Sequence, residues 1–272
     1  MDLTIGSRDD LSIVESGYVF GRSWDQARQH RLLGEAYDQV TCARLASTGV
    51  SDGWRCLEAG AGGGSVAHWL AKQVAPSGSV TATDLDPGWV PPHPGLRVLR
   101  HDLALDPLPE RAYDLIHVRL VLRHLPQRRA VLDKLAAALK PGGILQIDEF
   151  DQSHGPALLA PDQAALALYR DFVEAKERMF ADAGVAGDWG RRVAAEMVDA
   201  GLTDVDPEPA IFPWQAGSPG VELLIFLTRR LRDGLVAAGM TDERLAGVRD
   251  LLRSPGFRAT SGVFYTVQGR RP

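Results

Sequence analysis

The chain has 272 residues, of which 45% are hydrophobic and 24% charged, and its net charge is −5. This length suits one large domain, or one domain with an elaboration, and the composition is ordinary for a globular protein. The acidic balance argues against nucleic acid and anionic membrane as partners, because both favour basic surfaces.

Three further features of the sequence bear on compartment and on metal binding. The cysteines, Cys42 and Cys56, are too few for a disulfide framework and lie outside any CxxC spacing. The N-terminal stretch MDLTIGSRDD is acidic and lacks the apolar segment of a secretory signal. The longest apolar run, 223–227, is far shorter than the ~20 residues that a membrane span needs. We therefore predict a cytoplasmic protein with no membrane segment and no metal centre.

The predicted elements begin with a helix over 18–45, and from residue 54 to 150 apolar runs alternate with helical stretches. Strands separated by helices of ~10–15 residues are typical of βαβ units and a parallel sheet. In chain order the predictions are strand 55–59, helix 66–74, strands 79–84, 96–99 and 113–118, helix 128–139 and strand 144–150.

The part of the chain after residue 150 is predicted to be mostly helical. Pro/Gly stretches at 184–190 and 213–220 are typical of loops and not of linkers between domains. We therefore predict one α/β domain with helical additions. The predicted elements here are helices 161–183, 189–200, 221–239 and 242–252, a proline-interrupted strand 203–212 and a last strand 263–268.

A glycine-rich stretch, Glu58-x-Gly60-x-Gly62-x-Gly64, follows the first predicted strand and opens a helix. Such a corner is typical of nucleoside- or dinucleotide-binding turns, because bare backbone lets N–H groups approach a ligand closely. The dinucleotide fingerprint GxGxxG needs its third glycine at position 65, where Ser65 stands. With an acid ahead of the glycines as a polar anchor, the pattern favours a nucleoside ligand without phosphate.

Two more acids close predicted strands. Asp84 ends the second strand, about 20 residues after Gly64, and an acid there can accept both ribose hydroxyls of an adenosine. Asp102 follows the third strand and can accept from an adenine amine, with Leu103 offering its backbone. Each signal alone is weak, since an Asp at a strand end is often a helix cap, but their order along the chain indicates an adenosine site.

These stretches resemble class I S-adenosylmethionine-dependent methyltransferases, in particular bacterial enzymes that act on small molecules. The resemblance implies a Rossmann-like, seven-stranded, mostly parallel sheet whose last strand is antiparallel, and VFYTVQ fits that strand. N-terminally, GYVFGRSWDQARQHRLLGEAYDQVT is similar to the helical cap of an actinobacterial subgroup. The most specific stretches are LEAGAGGGS, VTATDLDP, YDLIHVRLVLRHLP and LKPGGILQIDEFD.

The resemblance also implies an organisation and a reaction. It implies one domain over 1–272, with a helical cap (1–50), a cofactor-binding core (51–155), and lid helices with C-terminal strands (156–272). S-adenosyl-L-methionine is then the expected cofactor, and a small molecule of specialised metabolism is the expected methyl acceptor. O-, N- and C-methylation all stay open, and so does the oligomeric state, a homo-oligomer with a swapped cap included.

The resemblance assigns two groups of residues to the cofactor. The group around the methionine part is Glu58, Gly60, Gly62, Arg119 through its backbone, and Tyr18, which closes the cap with help from Arg22 or His30. The group around the adenosine is Asp84 on the ribose hydroxyls, Leu85 against adenine, and Asp102 with Leu103 at the adenine edge.

Candidates for a catalytic base follow the fourth and fifth strands. A sulfonium already activates its methyl group, so orienting the nucleophile and excluding water are the main tasks. A general base is needed only where the nucleophile must lose a proton. Side chains at the carboxyl ends of the strands face the crevice of this architecture, which nominates His124, Glu149, Asp151 and His154. Each also has an ordinary alternative, packing for His124 and capping or solvation for the others.

Residues of the same stretches also bear on other possible functions. After the fourth strand the chain has HVRLVLRHLP, where amino-methyltransferases of DNA carry an Asn/Asp-Pro-Pro-aromatic signature, so nucleic-acid modification is disfavoured. An NAD(P)-dependent oxidoreductase is disfavoured by Ser65 and by the lack of a Tyr-x-x-x-Lys pair. A protein that binds the cofactor without methyl transfer, or uses it to assist another reaction, would carry the same motifs and stays an alternative.

Overall fold

The computed structural model of the chain describes residues 25–272, so Tyr18 and Arg22 of the predicted cap lie outside the described residues. The helices are α1 (Asp25–Ala46), α2 (Ser65–Val74), α3 (Arg128–Ala138), α4 (Gln163–Asp182), α5 (Trp189–Asp199), α6 (Pro219–Arg230), α7 (Arg232–Ala237) and α8 (Asp242–Arg253). The strands are β1 (Arg55–Ala59), β2 (Ser79–Asp84), β3 (Leu96–Arg100), β4 (Tyr113–Arg119), β5 (Leu139–Asp151), β6 (Ala157–Leu159), β7 (Thr203–Ala210), β8 (Pro213–Gln215), β9 (Arg258–Thr260) and β10 (Val263–Arg270).

The central sheet has seven strands in the order β3-β2-β1-β4-β5-β10-β7. The first five are parallel, and β10 runs antiparallel to both of its neighbours. This confirms the predicted Rossmann-like sheet with an antiparallel last strand. The strand order reverses between β1 and β4, and ligands of open α/β sheets bind at the carboxyl ends of the strands beside such a reversal.

The central strands are buried on both faces, which is why they read as apolar runs in the sequence. On one face α2 packs its Val66, Leu70 and Val74 against β1 and β2. On the other face α3 and α5 cover β4 and β5, with Trp189 fully buried between them. The two helical layers fix β1 and β4 as the centre of the molecule.

The additions after residue 156 form their own packed unit. Helices α4, α6, α7 and α8 share an apolar cluster that includes Phe172, Leu224 and Phe257. A three-stranded antiparallel sheet, β6-β9-β8, joins this cluster. The sequence analysis did not predict this small sheet, because strands of three residues are too short to show a periodicity.

Two local predictions were wrong in their boundaries. The predicted helix 221–239 is interrupted at Leu231, where α6 ends and α7 begins. Near that break the Thr228 hydroxyl donates to the Ile225 carbonyl at 2.7 Å, and Gly234 follows; both weaken a helix. The predicted strand 144–150 begins five residues earlier, at Leu139, because the Pro-Gly-Gly stretch forms an irregularity inside β5.

Candidate functional site

A cavity of about 590 Å³ opens at the carboxyl ends of β1 to β5. What we call its β1 side is lined by residues 58–66, 83–86 and 100–103 and by the first turns of α1. What we call its α4 side is lined by residues 119–121, 123–125, 150, 152, 154 and 155 and by side chains of α4, β8 and α6. The cavity therefore lies where the strand order reverses.

The glycine loop, residues 60–64, packs closely against neighbouring segments. Gly60 has a φ of +74°, and a Cβ atom there would collide with Cγ2 of Val121. A Cβ atom at Gly63 would lie 2.8 Å from Cβ of His30 on α1. Bare backbone is therefore required by packing within the protein.

The first three N–H groups of the glycine loop donate hydrogen bonds to other residues of the protein. Gly60 and Ala61 donate to the Thr83 carbonyl at 2.8 and 2.9 Å. Gly62 donates to Oδ2 of Asp84 at 2.8 Å. A pyrophosphate is normally held by free N–H groups of such a loop, so this loop is poorly suited to a dinucleotide.

Carboxylates dominate the β1 side of the cavity, where Glu58, Asp84, Asp86 and Asp102 are lining residues. Oδ1 of Asp84 accepts from the N–H of Asp86 at 3.0 Å. Since like charges brought together are unfavourable, this acidic corner favours a neutral or cationic ligand over a phosphate.

Apart from Tyr18 and Arg22, which lie outside the described residues, every residue that the resemblance assigned to the cofactor lines this one cavity. Leu85 is 42% exposed and Leu103 is 7% exposed, so one is accessible and the other is part of the wall. The Asp102 carboxylate accepts from the N–H groups of Ala104 and Leu105 at 2.8 and 3.3 Å, so it also closes a turn. The set is Glu58, Gly60, Gly62, Asp84, Leu85, Asp102, Leu103 and Arg119, and their roles toward a ligand stay predictions.

His117 of β4, which the sequence analysis did not single out, is fully buried between two carboxylates. Its Nδ1 lies 2.7 Å from Oε2 of Glu58, and its Nε2 lies 3.2 Å from Oδ2 of Asp148. Burial by itself lowers the pKa of His117, but the charges and hydrogen bonds of Glu58 and Asp148 raise it to about 9. Thr41 of α1 donates to the same Asp148 oxygen at 2.7 Å. The acid ahead of the glycines is therefore held by an imidazolium.

Arg119 at the end of β4 binds two side chains of α1. Nη1 of Arg119 lies 2.9 Å from Oδ1 of Asp38 and donates to the Thr41 hydroxyl at 3.2 Å. Leu120 follows with a φ of +56°, which non-glycine residues rarely adopt. This turn places Val121 against Gly60 and brings the backbone of residues 119–121 to the cavity, where the sequence analysis expected Arg119 to act.

The structure places two of the four predicted base candidates in the cavity wall and two outside it. His124 and His154 line the cavity. Burial, together with the charges of Arg123 and Arg128, lowers the pKa of His124 to about 3, so its ring is neutral at ordinary pH and a weak base. His154 is exposed in the loop after β5.

Glu149 and Asp151 lie on the same face of β5, and neither lines the cavity. Oε1 of Glu149 accepts from the N–H of Arg123 at 3.1 Å, and burial raises its pKa to about 7. Asp151 accepts from the N–H of Ser153 at 2.9 Å and lies 3.5 Å from Nη1 of Arg191. Both carboxylates therefore act as local acceptors within the fold.

Residues 25–272 contain neither a metal-binding cluster nor a helix that could span a membrane. In this range, no three His, Cys, Asp or Glu side chains are grouped so that they could bind a metal ion. None of the helices found there combines the length and the apolar character of a bilayer span.

Residues 57–145 match a family model described as a methyltransferase domain. They include the glycine loop, Asp84, Asp102 and strands β1 to β4, which border the cavity. Over this stretch the chain is similar to methyltransferase domains. The matched part ends within β5, before α4, α6 and β8 contribute the other wall of the cavity.

Two relatives are similar to part of this chain. Methyltransferase str2 of Strobilurus tenacellus is 39% identical over 99 residues, which are 36% of this chain and 36% of that protein. The ubiquinone/menaquinone biosynthesis C-methyltransferase UbiE of Cupriavidus taiwanensis is 30% identical over 131 residues, which are 43% of this chain and 52% of that protein. The chain thus spans a third to a half of these relatives' length.

The fold is also seen in a solved structure. Phosphoethanolamine N-methyltransferase 2 of Haemonchus contortus was solved with phosphomonomethylethanolamine and S-adenosylhomocysteine. It superposes with a TM-score of 0.54 at 16% identity, over 87% of this chain and 53% of that one. At this identity the likeness concerns the fold alone.

Two buried cations of the α4 side were missed by the sequence analysis. Arg123 and Lys176 are only 3% and 9% exposed, and both line the cavity. Lys176 shares the face of α4 on which Tyr169, Val173 and Phe180 also line the cavity. The signal available in the sequence was that Lys176 stands at helical spacing from the apolar residues of α4.

Proposed function

We propose that the chain is an S-adenosyl-L-methionine-dependent methyltransferase that transfers a methyl group to a small organic acceptor. The observation that carries this proposal is the acidic glycine corner between β1 and α2 within a methyltransferase domain. Its first N–H groups are satisfied internally, and carboxylates surround it. That chemistry suits a ligand with cationic groups and no phosphate.

The residues that line the cavity fit this cofactor. S-adenosyl-L-methionine, when bound, supplies a methyl group that its sulfonium activates for attack by a nucleophile. Asp84 would hold the ribose hydroxyls, with Leu85, Asp102 and Leu103 around the adenine. Glu58, the bare backbone of residues 60–63 and the backbone at Arg119 would surround the methionine part, and His30 on α1 covers the same loop.

The remaining task of the chain is to orient the acceptor and exclude water. We propose a single functional unit over 1–272 in which the cap and the additions after residue 156 cover the cavity. Apolar side chains of α4 and α6, such as Phe180 and Leu224, line its α4 side. A cavity walled in this way suits a medium-sized organic molecule, since such sites are mostly apolar with a few placed polar groups.

Calorimetric titration tests the cofactor assignment. We expect S-adenosylhomocysteine to bind the full chain and NAD not to bind. Binding of NAD alone would overturn the proposal. A second experiment tests transfer: the chain is incubated with methyl-labelled S-adenosyl-L-methionine and a panel of phenols, amines and carboxylic acids. We expect label in at least one acceptor, with a mass increase of one CH2. If the cofactor product binds and no acceptor in a broad panel is labelled, the transferase proposal fails while the cofactor site stands.

A further inference from the structure

Two buried cations on the α4 side of the cavity have no part in cofactor binding as proposed above. Arg123 lies in the short turn after β4, and Lys176 lies on α4. The Arg123 guanidinium stacks over Phe180, with 6.0 Å from Cζ to the ring centroid. Lys176 precedes Phe180 by one helical turn, so the two cations are neighbours on the same wall.

No carboxylate among residues 25–272 bonds to the Nε or Nη2 atom of Arg123, although the charges of Glu149 and Asp151 act on this side chain. Its Nε and Nη2 atoms are buried and have no hydrogen-bond partner among residues 25–272. These two nitrogens share one edge of the guanidinium, the edge that binds a carboxylate through two parallel N–H···O bonds. Leaving buried charged donors unpaired is costly, and a ligand with matching acceptors would remove that cost.

The nearest acids do not fill this role. Glu149 accepts from the Arg123 backbone and Asp151 pairs with Arg191, and both lie outside the cavity. Neither forms an ion pair with the Arg123 guanidinium in the described part of the chain. Of the residues between 25 and 272 that line the α4 side, none is Asp or Glu.

The rest of this wall is rich in hydrogen-bond donors and otherwise apolar. Nε1 of Trp214 and the hydroxyl of Tyr169 are buried, and within residues 25–272 neither has a hydrogen-bond partner. Leu223, Leu224 and Leu227 of α6 supply apolar surface beside them. Since water cannot screen charges well in such a place, an anion that reaches these donors interacts strongly with them.

We propose that the α4 side binds an apolar carboxylic acid, whose carboxylate is held by the Nε–Nη2 edge of Arg123 and by Lys176. The apolar part of the acid lies among the side chains of α4, β8 and α6. This inference rests on the proposed function in one respect, namely that the acid is the methyl acceptor of the same cavity. It narrows the acceptor class from small organic molecules to those that carry a carboxylate.

Matched pairs of acids and neutral amides test the proposal. The probes are naphthalene-2-carboxylate, 3-phenylpropanoate and indole-3-acetate, each compared with its carboxamide, and binding to the full chain is measured by calorimetry. We expect at least one acid to bind about tenfold or more tightly than its amide, as charge-assisted hydrogen bonds imply. Arg123→Met and Lys176→Met should each reduce that preference to about threefold or less.

Arg170→Met is the matched control, because Arg170 is an exposed cation on the same helix. It should leave the preference for the acid unchanged. The inference is overturned if no acid binds, if the amides bind equally well, or if Arg123→Met keeps the preference. Lys176→Met and the conservative Arg123→Lys carry the test if Arg123→Met does not fold. S-adenosylhomocysteine binding is measured in the same samples, so failure of the cofactor proposal is distinguished from failure of this one.

Discussion

The carboxylate of Asp84 accepts a hydrogen bond from the backbone N–H of Gly62, with 2.8 Å between Oδ2 and the nitrogen. The contact joins two parts of the sequence motif, one in the loop after β1 and one at the end of β2. The acid proposed to grip the ribose therefore also fixes the shape of the glycine loop. Loss of this carboxylate affects the cofactor site twice, through the missing ligand contact and through the released loop.

Substitution of Asp84 is expected to weaken binding of S-adenosylhomocysteine. Asp84→Ala removes the charge and the acceptor for Gly62, so we expect a loss of about 1–3 kcal/mol. Asp84→Asn keeps an acceptor oxygen and should lose less than Asp84→Ala. Calorimetry measures both, with Asp133→Asn, an exposed acid on α3, as a control that should bind like the wild type. Unchanged affinity in Asp84→Ala would show that the residue does not contact the ligand.

Gly60→Ala is expected to destabilise the fold through two separable effects. A side chain at a φ of +74° costs roughly 1–2 kcal/mol, and the collision with Val121 adds about 1–3 kcal/mol. Gly95→Ala is the matched control, because Gly95 has a φ of +77° and no atom within 4 Å of a Cβ position. Urea unfolding should show a larger loss for Gly60→Ala than for Gly95→Ala.

A second substitution separates the two effects at Gly60. Val121→Ala removes the Cγ2 atom that the new methyl group would meet. The double variant Gly60→Ala, Val121→Ala should therefore lose less than the sum of the two single variants. Additive losses would mean that Val121 is not the obstacle.

The parts of the fold that could be predicted are those fixed by local pattern. Strand β2 and its terminal Asp84 follow from a β-branched run, and the glycine corner follows from turn chemistry. The interruption at Leu231 and the strand β8 could not be read this way. Strand β8 depends on its pairing with the distant strand β9. Near Leu231, Thr228 and Gly234 weaken the helix without changing its apolar pattern.

The same distinction applies to the cavity. The residues that line its β1 side are adjacent to strand ends and could be predicted from order along the chain. The role of His117 depends on Glu58 and Asp148, each on a neighbouring strand, and strand order is not visible in one sequence. Arg123 and Lys176 become neighbours only because α4 packs over the turn after β4. Nothing local in either stretch indicates that approach.

The protonated state of His117 is expected to make stability depend on pH. Its pKa is raised to about 9, so folding favours the imidazolium. The stabilisation is fully present below about pH 6.5, the unfolded value, and is lost as the pH rises through 9. The full effect is roughly 3 kcal/mol at most, since one pKa unit corresponds to about 1.4 kcal/mol.

NMR titration of the His117 ring measures this pKa directly. Stability is followed by urea unfolding between about pH 6.5 and 9.5, in the Lys176→Met background, because Lys176 titrates in the same window with the opposite sign. A ring that titrates below 6.5, or a flat stability profile, would contradict an imidazolium between Glu58 and Asp148.

Lys176→Met is expected to stabilise the ligand-free chain at neutral pH. Burial, with the charge of Arg123 acting in the same direction and that of Glu177 opposing it, lowers the pKa of Lys176 to about 8. A lowered pKa means that the charged form costs stability below pH 8, and that this cost is relieved as the pH rises from 8 toward the unfolded value of about 10.5.

A methionine of similar length removes the buried charge, so we expect a gain of about 1–3 kcal/mol in the free energy of unfolding at pH 7. The gain should shrink as the pH is raised toward 10. Arg170→Met, exposed on the same helix, should change stability by less than about 0.5 kcal/mol. If Lys176→Met instead lowers stability at pH 7, the lysine is paired within the folded chain. A gain in stability accompanied by weaker binding of acids is the result expected of a cation that is kept for a ligand.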